Sequence, residues 1–202
     1  MGFFGTPKYL RSVNDMPNWC SNSLTVTVNK DWYENHSLTG YQNYGDDRLL
    51  KENILKTFCD YMKTVYVEAP DFKVRTNYFD FRKIATEPPG IQSGIINWYP
   101  WNTRHWGCKW NCSYSDLIDY DWGEDGMLLY EFETPWAPPY SLLEEAVKLF
   151  PMLIFTISAE ECGSEIDEKV IFKYDSITKY SHEYIDEPSC NYTATIEWTG
   201  GK

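Results

Sequence analysis

The chain is 202 residues long, 43% hydrophobic and 17% aromatic, with a formal net charge of −12. That length and apolar content suit one generous domain with a real core and exclude wholesale disorder. No run of about 18 apolar residues occurs, which excludes a membrane-spanning helix. The start, Met1-Gly2-Phe3-Phe4-Gly5-Thr6-Pro7, has no basic region followed by an apolar stretch, so it does not read as a signal peptide. Without export, the six cysteines are expected to be reduced thiols in a cytosol, and the sequons at Asn35, Asn111 and Asn191 carry no meaning.

Ser23 to Val28 alternates with β-branched residues and predicts a first strand. Asp31 to Gly45 is polar and aromatic and reads as a loop. From Asp46 to Lys63, Leu50, Ile54, Phe58 and Tyr61 or Met62 repeat at helical spacing. Phe72-Lys73-Val74 and Tyr78-Phe79-Asp80-Phe81 are strand candidates, and Glu87-Pro88-Pro89-Gly90 breaks regular structure. Ile95 to Tyr120 holds four of the nine tryptophans and few helix formers.

Met127 to Phe132 predicts a strand ended by Pro135. Ser141-Leu142-Leu143-Glu144 has the form of a capping box, opening a helix through Phe150 that Pro151 stops. Its buried face is expected to carry Leu142, Ala146 and Leu149 or Phe150. Met152 to Ile157 follows as a buried strand, so Met127–Ile157 forms a strand–helix–strand unit. Lys169 to Tyr174 and Thr193 to Trp198 read as further strands.

His105, Cys108 and Cys112 place three soft ligands within eight residues, a spacing from which one loop could feed a zinc ion. A fourth ligand would have to come from Cys20, Cys162, His182 or Cys190. The paired C-x-x-C knuckles of strong zinc patterns are missing, so packing is the favoured role, and the protein is expected to carry no stoichiometric zinc or other cofactor. The loop Asp119 to Gly126 fails as a calcium hand, because Gly123 stands at a ligand position and Phe132 where the bidentate glutamate belongs. None of the three histidines lies in a recognised catalytic context, so no enzyme is expected.

Trp101, Trp106, Trp110 and Trp122 lie close together in sequence and are candidates for an aromatic contact surface. With Arg104 and Lys109 they could stack on a base, which leaves open an RNA- or nucleotide-binding alternative. The acidic stretch speaks against it. From Asp116 to Glu168 there are fourteen Asp and Glu against Lys148 alone, a charge of −13, while the rest of the chain carries +1. Such a surface opposes phosphate and suits a basic protein partner, so no direct DNA binding is expected. Asp116, Asp119, Asp121, Glu124, Asp125, Glu160, Glu161, Glu165, Asp167 and Glu168 are the candidate partner-binding residues, with the group from Glu160 to Glu168 expected together on a loop.

Three segments, Met16-Pro17-Asn18-Trp19-Cys20, Trp106-Gly107-Cys108-Lys109-Trp110-Asn111 and Phe132-Glu133-Thr134-Pro135-Trp136-Ala137-Pro138-Pro139, resemble in this order the YubB-like ferredoxin-fold family of plasmids and phages. Phe81-Arg82-Lys83-Ile84 extends the likeness, which runs from Met16 to about Tyr174. The family usually has Thr in place of Cys108. The resemblance implies an α+β protein: a ferredoxin-like α/β sandwich, mostly antiparallel, with two main helices and an aromatic-rich insertion. It divides the chain into an extension at 1–15, the domain at 16–175 and a strand-bearing segment at 176–202 within the same domain. It further implies a cytoplasmic accessory protein of a mobile element. Such a protein would act without catalysis, by stoichiometric binding to a host protein or ribonucleoprotein complex with a basic surface. A host defence complex such as a CRISPR effector is the expected target, and inhibition the expected effect.

Overall fold

A computed structural model describes residues 18–36, 47–68, 72–112, 115–121, 126–161, 166–174, 176–183 and 191–197. The chain opens with β1 (Trp19–Val28), in which Cys20, Asn22, Leu24 and Val26 point inward and the intervening Ser21, Ser23, Thr25 and Thr27 point to the other face. Asn29 then caps a short α1 (Lys30–Asn35) by accepting the Trp32 N–H at 3.2 Å, inside the stretch expected to be loop. Helix α2 (Asp47–Met62) buries Leu55, Phe58 and Met62. Its inward stripe is therefore centred on Leu55, with Leu50 at its margin and Tyr61 exposed.

β2 (Thr64–Glu68) and β3 (Lys73–Asn77) pair as a separate two-stranded ribbon. Tyr78 to Phe81 is not a strand. Phe79 and Phe81 are both fully buried, and Asp80 caps a 3-10 helix (Phe81–Lys83). Asp80 between them is buried as well, held by Arg82 and Asn111, so the segment has no alternating exposed face. Pro89 opens the single turn α3 (Pro89–Gln92). Asn97 caps α4 (Trp98–His105), a helix in the segment that seemed poor in helix formers. Then follow β4 (Ser115–Asp121), β5 (Met127–Pro135), α5 (Tyr140–Leu149), β6 (Leu153–Glu161), β7 (Ile166–Lys173), β8 (Ser176–Glu183) and β9 (Asn191–Glu197).

The strand–helix–strand unit forms as expected, but Ser141 makes no capping box. It lies within the helix, and the cap position is Pro139, with no side-chain hydrogen bond. Leu142, Leu143, Ala146 and Val147 are buried, Phe150 packs against the core, and Leu149 is exposed. Strand β6 buries only alternate residues, Leu153, Phe155, Ile157, Ala159 and Glu161, because among the described residues the helices pack on one face of the sheet.

The molecule is α+β, built on a seven-stranded antiparallel sheet in the order β4-β5-β1-β6-β7-β8-β9. Because β1 lies between β5 and β6, the unit β5–α5–β6 straddles it. The unit running from β1 through α2 to β4 likewise straddles β5. The two crossovers interlock on β1, which is why the helices lie over the same sheet face: α2 over β1 and β5, α5 over β6 and β7. Strands β8 and β9 extend the sheet beyond that frame. The core under the helices is strongly aromatic, with Phe79 stacked on Phe132 at 5.6 Å and Phe58 edge-on to Phe155 at 5.6 Å. The opposite face carries no helix from these crossovers. No helix among the described residues is long and apolar enough to cross a membrane.

Candidate functional site

The three segments that are distant in sequence meet at one end of β1. Trp19 is in register with Pro135, and the Trp136 N–H donates to the Asn18 carbonyl at 2.8 Å. Buried Asn22 ties the first segment to the third, its amide donating to the Phe132 carbonyl at 3.3 Å and to Thr134 Oγ1 at 2.9 Å. The second segment docks through Gly107, at φ +84°, where a Cβ would stand 3.1 Å from the backbone nitrogens of Tyr140 and Ser141. Only glycine permits that approach to the start of α5. Asp80, buried, accepts from the Arg82 guanidinium at 2.9 and 2.8 Å and from Asn111 Nδ2 at 2.7 Å, which fixes the end of the segment. Burial would raise the Asp80 pKa, but the Arg82 hydrogen bond and charge outweigh it and hold the carboxyl below its usual range.

Within this junction the tryptophans divide. Trp106 is core, 2% exposed, with its Nε1–H donating to the Ala85 carbonyl at 2.9 Å, so it is not a contact residue. Trp101 is half-buried between Trp106 and a stacked His105. Trp110 is half-buried beneath Lys109, whose Nζ is 4.5 Å from its ring centre and 4.3 Å from that of Trp136. Trp122 lies outside the described residues.

The candidate zinc ligands do not converge. Cys108 Sγ donates to the Trp110 carbonyl at 3.1 Å, Cys112 Sγ to the Phe79 carbonyl at 3.0 Å, and His105 stacks on Trp101. Among the described residues no three His, Cys, Asp or Glu are grouped to hold a metal. Cys162, Cys190 and the side chain of His182 lie outside them. Burial pushes the Cys108 thiol up to about 12, with Cys20 adding to the effect. Burial, then the charges of Glu161 and Glu168, push Cys20 up to about 12 as well. Both are protonated at neutral pH, and neither is a thiolate nucleophile.

Beside the junction, on the open sheet face, lies a groove of about 780 Å³. Ser21, Ser23 and Ser158 form its floor, Asp116, Glu131, Glu133 and Glu160 its exposed walls, and Trp19 closes the end nearest the junction. Strand register explains the crowding of carboxylates. Ser21 faces Glu133 on one side and Glu160 on the other, and Glu160 in turn faces Asp167. In the next row Asp116 faces Glu131. Beyond a register shift between Leu117 and Asp119, Asp119 and Asp121 face Leu129 and Met127 on the same surface. Lys169 faces Ser158 from β7, while Lys173 is engaged with Asp31 at 2.5 Å.

The acidic candidates therefore separate by face. Asp116, Asp119, Asp121, Glu160 and Asp167 belong to the open surface. Glu161 is 5% exposed and points to the helix side, and Glu168 turns the same way to accept a hydrogen bond from the Tyr140 hydroxyl at 2.5 Å. These two are not surface contacts, because the two-residue period of a strand sends neighbours to opposite faces. Most of the group expected on one loop is strand. Glu165, Glu124 and Asp125 lie outside the described residues. Glu131 and Glu133, which sequence reasoning did not single out, sit at the centre of the groove. Their alternation with Leu128, Tyr130 and Phe132 was the available signal.

No protein-family model, no curated protein and no solved structure matches the chain.

Proposed function

We propose that this protein is a non-enzymatic binding module whose open sheet face receives a basic surface of a protein partner. The observation that carries the reading is the gathering of Asp116, Glu131, Glu133 and Glu160 along one groove, with Asp116 in register opposite Glu131. Carboxylates directly across an antiparallel ladder destabilise the sheet. A cationic partner turns that cost into attraction. Weak neighbouring repulsions are tolerable in a solvated surface, but their concentration along one groove is what a basic ligand requires.

The order β6-β1-β5-β4, with α2 and α5 as the two crossover helices, supports a ferredoxin-like sandwich, in which β7 to β9 are an edge extension and 64–114 the insertion. That reading agrees with the resemblance to the YubB-like family carried by the segments Met16–Cys20, Trp106–Asn111 and Phe132–Pro139, whose described residues meet at one junction. From the family's plasmid and phage setting we infer a cytoplasmic, stoichiometric inhibitor of a host defence complex, a CRISPR effector being the leading candidate.

The test is a pull-down with the purified chain from plasmid- or phage-bearing host cells, at low and then high salt. A basic protein or ribonucleoprotein recovered at low salt, and lost from a Glu131→Gln/Glu133→Gln/Glu160→Gln variant, is the expected result. Purified protein carrying absorbance at 260 nm, with no protein partner recovered, would instead favour the RNA- or nucleotide-binding alternative built on the tryptophans.

A further inference from the structure

We infer that Trp110 and Trp136 form an aromatic clamp for a cationic side chain of an extended basic protein segment, and that Lys109 is an exchangeable placeholder in that clamp. The inference rests on the reading that a basic partner lies along the acidic groove.

Three observations lead to it. The Lys109 ammonium lies over two indole rings, 4.5 Å from the Trp110 centre and 4.3 Å from the Trp136 centre. Two faces bracketing one cation are how aromatic cages recognise ammonium and guanidinium groups. Secondly, Trp136 is 41% exposed and sits at φ +68°, a left-handed backbone that a bulky side chain rarely adopts. Its N–H bond to the Asn18 carbonyl holds it there. A strained residue with a partly exposed ring is a candidate for binding rather than for packing. Thirdly, the backbone of Lys109 is fixed independently of its side chain, since its carbonyl accepts from Asn102 Nδ2 at 2.9 Å. The ammonium can leave the clamp without unravelling the loop.

Position links the clamp to the groove. Trp19 closes the groove and is in register with Pro135, and Trp136 is the next residue. An extended segment whose cations face Glu131, Glu133 and Glu160 would place a further lysine or arginine beside the clamp. That side chain must displace Lys109, so the resident lysine weakens binding of the partner and selects segments with a cation at the right spacing.

The experiment uses the full chain, an arginine–glycine decapeptide and tetramethylammonium as a minimal probe. Indole N–H resonances of Trp110 and Trp136 are followed by NMR, and peptide affinity by calorimetry. Lys109→Ala vacates the clamp and should tighten the peptide by about fivefold or more, the reverse of the weak interaction it removes. In that variant tetramethylammonium should shift both indole signals at concentrations that leave the wild type unmoved. Adding Trp136→Gly, which accepts the left-handed backbone, should remove both gains. Should Lys109→Ala fail to fold, Lys109→Gln keeps the stem without the charge and should act in the same direction. Peptide affinity unchanged or weakened by neutralising Lys109 would overturn the clamp. If that affinity still falls on changing Glu131, Glu133 and Glu160 to Gln, the groove reading survives alone. Peptide binding absent from wild type and variant alike would count against both the clamp and the groove.

Discussion

Asp116 on β4 and Glu131 on β5 stand directly opposite each other in the antiparallel ladder, both exposed on the groove wall. Side chains so placed have Cβ atoms about 5 Å apart, close enough for like charges to lower stability. Replacing Glu131 with Lys should therefore raise the unfolding free energy by roughly 0.5 kcal/mol in low salt. It should at the same time weaken and slow association with a basic partner, most strongly at low salt. Denaturant melts and binding kinetics run in parallel give the answer. A variant that gains stability and binds its partner unaltered would reduce the groove to a solubility feature.

Asp80 offers a pH-dependent test. Arg82 holds its folded pKa below the usual carboxylate range, so its contribution is complete above the unfolded carboxyl value and is lost as pH falls through the folded one. Asp80→Asn breaks the bidentate bond from Arg82 and should cost about 2–3 kcal/mol at neutral pH. The gap between wild type and variant should narrow below pH 4. Stability curves that stay parallel from pH 7 to pH 3 would contradict this account.

Gly107→Ala combines an unfavourable left-handed backbone with a Cβ 3.1 Å from two backbone nitrogens of α5. The expected loss is about 2 kcal/mol or more, a fall in Tm of roughly 5 °C for a chain of this size. Calorimetry on the variant decides it. A full-length protein melting as the wild type does would mean the segment from Trp106 to Asn111 is free to move off the helix.

The buried thiols of Cys20, Cys108 and Cys112 should resist alkylation. Burial raises all three, and at pH 8 the first two, with values pushed up to about 12, hold almost no thiolate. Iodoacetamide should modify them more than a hundredfold more slowly in the native protein than in urea, with mass spectrometry after proteolysis to locate the adducts. Rapid native labelling of Cys108 would show that this part of the core opens to solvent.

The elements that bury one regular face were legible in the sequence. Strands β1, β5 and β6 and helices α2 and α5 follow periodicity, and Pro135 and Pro151 mark their ends. Thr64 to Glu68 went unread because it follows α2 after a single residue, with no turn signal between them. Helix α4 is written in Trp, Tyr and Pro, residues of poor helix propensity, and only Asn97 as cap and Pro100 in the first turn betray it. The candidate site was legible as charge but not as geometry. A count of carboxylates cannot tell Glu160 from Glu161, whereas strand pairing sends one to the groove and the other into the interior. Nor does spacing reveal that Lys109 reaches Trp136, since that contact depends on Gly107 meeting the start of α5.

The shift in register between Leu117 and Asp119 has a consequence for how other chains can approach. β4 is an edge of the sheet, and a regular edge is a template on which a foreign strand can continue the hydrogen-bonded ladder. Here the template is interrupted midway, and Asp119 and Asp121 follow the interruption with exposed carboxylates. An incoming strand would lose its pairing at the irregularity and meet negative charge beyond it. This border of the groove thus admits visitors by their side chains and refuses them as backbone, a separation that lets an acidic sheet stay open to partners without recruiting copies of itself into fibres.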